Sequence, residues 1–77
     1  MVNPHDIKQW IEEGLADSEV AVTGDGRHFE AFVVCPAFAG KSLMERHRMV
    51  YSALGDRMKA EIHALSLKTL TPEEQSK

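Results

Sequence analysis

Apolar residues at Ile7, Trp10, Ile11 and Leu15 recur at three- and four-residue intervals, so a helix here has one apolar face, with Lys8, Glu12 and Glu13 outside it. Asn3 is placed to cap that helix, Pro4 suits its first position, and Asp6 faces the positive end of its dipole. Gly14 weakens the helix and Asp17-Ser18 ends it. From Glu19 to Thr23 the period drops to two, with Val20 and Val22 on one face, which predicts a strand. The GDGR run at 24–27 tolerates positive φ and reads as a hairpin turn. The returning strand, 28–35, places Phe29, Ala31, Val33 and Cys35 on one face and His28, Glu30, Phe32 and Val34 on the other. Its pattern leaves open which face is buried. Pro36 stops it, having no N–H to donate to the ladder.

Ser42 and Glu45 form a capping box and start a second helix. Leu43, Met44, His47, Val50, Tyr51 and Leu54 fall in one sector of its wheel and form the expected buried face, with Arg46 and Met49 on the flank. Gly55 breaks the helix, Asp56 can cap the next, and Met58 with Ile62 supplies the apolar stripe of a short third helix. Residues 63–70, HALSLKTL, return to period two with Leu65 and Leu67 on one side. Thr71-Pro72-Glu73-Glu74 repeats the cap-plus-proline signal, and 71–77 is expected to be a loosely ordered tail.

The order αββααβ predicts one α+β domain over 1–77, a three-stranded mixed sheet with helices on one face. The hairpin makes the first two strands antiparallel. A helical crossover of roughly 27 residues makes the second and third parallel, with a right-handed connection. Two histidines, His28 and His63, then stand first in neighbouring parallel strands, whose ~4.8 Å spacing brings their imidazoles within reach of one shared metal centre. The competing reading leaves His28 as a solvated turn residue and His63 as a histidine complementing a helix dipole. Two imidazoles cannot close a metal site, so ligands from outside would be needed.

Composition narrows the alternatives. The 77-residue chain is 43% hydrophobic and 27% charged, as expected of a folded domain. Its size bounds net stability at roughly 3–5 kcal/mol. The single cysteine, Cys35, excludes an internal disulfide and sits on the apolar parity of its strand, as a core residue would. No apolar run spans a membrane and no signal peptide is visible, so the expected location is cytoplasmic. Neither a nucleophile triad, a phosphate-binding glycine loop nor an acid/base carboxylate pair is evident, and no enzyme activity is expected. His47, between apolar neighbours, is expected to be packed with a hydrogen-bond partner.

The formal charge of −3 conceals a basic middle: residues 41–59 hold five basic and two acidic side chains, against two basic and seven acidic over 1–40. Lys41, Arg46, Arg48, Arg57 and Lys59 surround a helix–break–helix that could lie on a nucleic-acid backbone, although a solvated helix face accounts for the same charges.

The motifs F-x-G-K-S-L-x-x-R-H-R-x-V-Y-x-x-L from Phe38 to Leu54 and I-H-A-L-S-L-K-T-L-T-P-E-E from Ile62 to Glu74 resemble those of the BolA family. G-D-G-x-H-F at 24–29 is similar to its short-hairpin, YrbA/IbaG-like bacterial branch. The resemblance implies an αββααβ fold related to class II KH domains. It also implies a monothiol glutaredoxin partner and a bridging [2Fe–2S] cluster, held on one side by a glutaredoxin cysteine and glutathione and on this side by His63 and His28. No cofactor is then expected for the isolated chain. DNA, through the basic helix pair of a KH-like transcriptional regulator, and a second copy of the chain are the other partners considered. Gln75 stands where relatives carry tryptophan, which removes an aromatic contact at the C-terminus.

Overall fold

The computed structural model describes residues 2–60, 62 and 64–77, the side chains of Lys59 and Ala60 excepted. Helix α1 (Pro4–Gly14) is followed by strands β1 (Glu19–Gly24) and β2 (His28–Val34), a 3-10 turn at Pro36–Phe38, helices α2 (Leu43–Leu54) and α3 (Arg57–Ala60), strand β3 (Ala64–Leu70) and a short helix α4 (Pro72–Gln75).

The expected caps form. Asn3 and Asp6 make a reciprocal capping box at α1, and Ser42 with Glu45 does the same at α2. Each box satisfies backbone groups that a helix end otherwise leaves without partners. Asp17, with φ of 62°, turns the chain out of α1 toward β1.

The sheet order is β1-β2-β3. β1 pairs antiparallel with β2, from Glu19 opposite Val34 to Gly24 opposite Phe29. β2 pairs parallel with β3, from His28 opposite Ala64 to Val34 opposite Leu70, and Cys35 N–H donates to the Leu70 carbonyl at 3.0 Å to extend that ladder. The mixed sheet and the parallel central pair are as the connection lengths predict.

The core resolves the open question of β2. Phe29, Ala31, Val33 and Cys35 are buried with Val20 of β1, Ile7 and Ile11 of α1, Val50 and Leu54 of α2, Phe38 of the 3-10 turn and Ile62. Full burial of each large side chain contributes about 1.5–3 kcal/mol. Phe32, on the other face of β2, is only half-buried.

Two sequence expectations need correction. On α2 the buried stripe is not the sector from Leu43 to Leu54: Leu43 and Met44 are each 64% exposed and Tyr51 38%. Val50 and Leu54 are buried and Met49 and Ala53 pack against them, so the inward stripe follows the 46/49/50/53/54 spacing. The reason is the α1–α2 contact, where Gly14 lies so close to Ala53 that a Cβ on Gly14 would come within 2.5 Å of the Ala53 Cβ. That approach sets the roll of α2. Second, His47 is half-buried, and its inaccessible Nε2 has no hydrogen-bond partner among the described residues.

Candidate functional site

The turn before β2 fixes the backbone of His28. Asp25 Oδ1 accepts from the N–H groups of Arg27 and His28, both at 2.9 Å, and Asp25 N–H donates to the His28 carbonyl at 3.2 Å. The backbone N–H groups of His28 and then Arg27 hold the Asp25 carboxyl below the usual carboxylate range. Gly24 is required beside them, because a Cβ there would meet the His28 carbonyl oxygen and Phe29 Cδ1 at 2.5 Å. Gly26 takes the positive φ, 98°, that the turn needs. The outcome is an exposed imidazole at the start of the central strand, on a backbone held by an aspartate and two glycines.

Across the ladder His28 faces Ala64, the first residue of β3. His63, the chain neighbour of Ala64, lies outside the described residues. Among the described residues, no three His, Cys, Asp or Glu side chains converge as a metal site. Cys35 is fully buried, its Sγ 3.6 Å from the Ala16 carbonyl oxygen, and is a core side chain as its parity indicated.

The described basic side chains of the helix pair differ in their surroundings. Arg46 lies on the inward stripe of α2, and its guanidinium makes a two-pronged ion pair with Glu74 (2.7 and 3.1 Å). It also donates to the carbonyls of Lys41 and Thr69. Arg57 sits over the Trp10 ring, 4.8 Å from its centroid, a cation–π contact that ties α3 to α1. Lys41 and Arg48 are exposed, and the side chain of Lys59 lies outside the described residues.

Residue periodicity did not single out Asp25 or Glu74. The first was legible only as turn chemistry and the second only as a capping residue, because the groups they bind come together through the turn and the tertiary fold.

The model for BolA-like proteins matches residues 11–74. The chain belongs to the BolA-like family. A solved bolA protein homologue from Coxiella burnetii superposes with a TM-score of 0.94 at 59% identity, covering 100% of both chains. Acid stress protein IbaG of Escherichia coli is 35% identical over 71 residues, 91% of this chain and 84% of the relative. The DNA-binding transcriptional regulator BolA of the same organism is 39% identical over 51 residues, 66% of this chain. The chain spans less than two thirds of several curated relatives it matches: 49% of that regulator, and 13% of SufE-like protein 1 from Arabidopsis thaliana. The BolA-like assignment agrees with the sequence motifs and with the α+β mixed sheet.

Proposed function

We propose that this BolA-like chain is an accessory protein that binds a monothiol glutaredoxin and co-ligates a bridging [2Fe–2S] cluster through His63 and His28, in iron–sulfur trafficking or iron and stress signalling. The observation that carries the reading is the register of His28 with Ala64, the residue after His63, at the head of the two parallel strands. An exposed imidazole on a backbone pinned by Asp25 is a competent neutral ligand. One such group in the described part, with a second histidine adjacent in sequence to its ladder partner, fits a metal centre completed by another molecule. Imidazoles in place of thiolates on one iron make such a cluster less negative and raise its potential.

The chain's own work in this reading is positional. The sheet sets the separation of the two strand starts, the Asp25 turn holds the His28 backbone, and exposure at the sheet end leaves room for a partner. Mixing the protein with cluster-loaded monothiol glutaredoxin should give a heterodimer with an altered visible circular dichroism spectrum. His63→Ala should abolish that change and His28→Ala should diminish it. An unaltered spectrum with the wild-type chain rules the reading out.

The name of the Escherichia coli regulator favours a second reading, nucleic-acid binding through Lys41, Arg46, Arg48, Arg57 and Lys59. Arg46 is committed to Glu74 and Arg57 to Trp10, so fewer cations stand ready for phosphates than the sequence count suggests. Binding to duplex DNA that falls steeply with salt, and falls further in Arg48→Ala, would support it.

A further inference from the structure

The hydrogen bonds of the sheet leave the edge of β1 open. Asp25 N–H donates to the His28 carbonyl, and bonded and non-bonded pairs alternate along an antiparallel ladder, so in this register Thr23, Ala21 and Glu19 bond to β2. The N–H and C=O groups of Val20 and Val22 therefore point away from the sheet, and none has a backbone partner among the described residues. We propose that β1 pairs antiparallel with β1 of a second copy of the chain, joining two three-stranded sheets into one six-stranded sheet about a two-fold axis at Ala21.

The two edges of the sheet differ. β3 runs parallel to β2, and the Cys35 N–H bond to the Leu70 carbonyl turns Lys68 and Leu70 toward β2 and Thr69 outward. Arg46 Nη1 occupies that outward Thr69 carbonyl at 3.3 Å, and α2 and α4 pack against the strand. Pairing of β1 with β3 of another copy, which would propagate into open filaments, is thus obstructed, whereas β1 with its own copy closes on itself. β1 also lacks the devices that blunt an edge. Glu19–Gly24 contains no proline and no lysine, and its one-to-one register with β2 contains no bulge.

The side chains of β1 are complementary to themselves. With the axis at Ala21, Val20 stands opposite Val22 of the second copy, and all four outward groups of the two valines find partners. Glu19 stands opposite Thr23, whose hydroxyl can donate to the carboxylate, and the small, exposed Ala21 meets its own copy. Centring on Val22 instead would oppose Glu19 to the like-charged Asp25, and centring on Val20 would pair Val22 with Ser18, outside the strand. β2 lies between this edge and β3, so the inference does not rest on the cluster reading.

Sedimentation velocity of the isolated chain from micromolar to millimolar concentration should show a monomer passing to a dimer, with hydrogen exchange at the Val20 and Val22 amides slowing as the dimer forms. Two lysine substitutions at exposed positions change the charge equally and should act oppositely. Ala21→Lys sets two lysines together on the axis and should raise the dimer Kd by about tenfold or more, whereas Thr23→Lys faces Glu19 of the second copy and should lower it. Ala21→Cys should form an intermolecular disulfide on mild oxidation, because non-bonded antiparallel partners lie about 4.5 Å apart, and Glu19→Cys should not. Far-ultraviolet spectra check that each variant keeps its fold. The inference is overturned by a chain that stays monomeric throughout, by a dimer whose Val20 and Val22 amides exchange as in the monomer, by lysine variants that shift the Kd in the same direction, or by cross-linking through Glu19→Cys in place of Ala21→Cys. None of these readouts involves glutaredoxin or a cluster, so failure here is distinguishable from failure of the cluster reading.

Discussion

Arg46 and Glu74 join α2 to α4 through two hydrogen bonds, Nη1 to Oε1 at 2.7 Å and Nη2 to Oε2 at 3.1 Å. Glu74 Oε1 also accepts from the Thr71 N–H at 2.8 Å, so one carboxylate both caps α4 and holds it to α2. The guanidinium carbon of Arg46 lies over Phe38, 5.9 Å from the ring centroid, and the side chain is only 12% exposed.

This pair makes stability sensitive to acid. The Arg46 guanidinium, and after it the Thr71 N–H, lower the Glu74 carboxyl from 4.5 to about 2. A carboxylate with a lowered folded-state pKa stabilises fully above its unfolded value and loses that contribution as pH falls through the folded one. The difference in melting temperature between wild type and Glu74→Gln should therefore hold at pH 7, shrink below pH 4.5 and close near pH 2. A difference that does not change with pH would show that the carboxylate charge is not responsible.

The outward roll of α2 separates two leucines of one helix. Leu54 is 1% exposed and Leu43 64%. Urea unfolding should show Leu54→Ala losing about 2–5 kcal/mol and Leu43→Ala staying within about 0.5 kcal/mol of wild type. Comparable losses would restore the face expected from the helical wheel.

Gly14 sets how closely α1 approaches α2. A methyl group there meets the Ala53 Cβ at 2.5 Å and its Cα at 2.8 Å. Gly14→Ala improves helix propensity, yet overpacking of this kind costs about 1–3 kcal/mol, so the variant should be less stable in the same unfolding experiment. Ala53→Gly in the Gly14→Ala background should recover part of the loss.

The turn before His28 should loosen when its acceptor is removed. In Asp25→Ala, hydrogen exchange at the Arg27 and His28 amides should accelerate while that of Val33 stays unchanged. Equal protection in both proteins would mean that the aspartate does not hold the turn.

Much of the fold was legible because it rests on local rules. Two helix caps, a glycine-rich hairpin, a strand-ending proline and the switch between helical and two-residue periods lie within a few residues of the groups they organise. A crossover too long for a hairpin made β2 and β3 parallel, and the motifs Phe38–Leu54 and Ile62–Glu74 placed the chain in its family. His28 could be placed at the head of β2 for the same reason, since the turn that positions it is contiguous with it in sequence.

Tertiary structure decided what depends on groups distant in the chain. A helical wheel orders the residues of α2 but does not say which direction faces the core; the contact of Gly14 with Ala53 does. Arg46 reads as a solvated cation until Glu74 is folded against it, and Leu43, Met44 and Tyr51 read as core until the roll of α2 turns them outward. Local sequence determined the elements and their ends, whereas packing between elements decided which faces are buried and which charges are free to meet a partner.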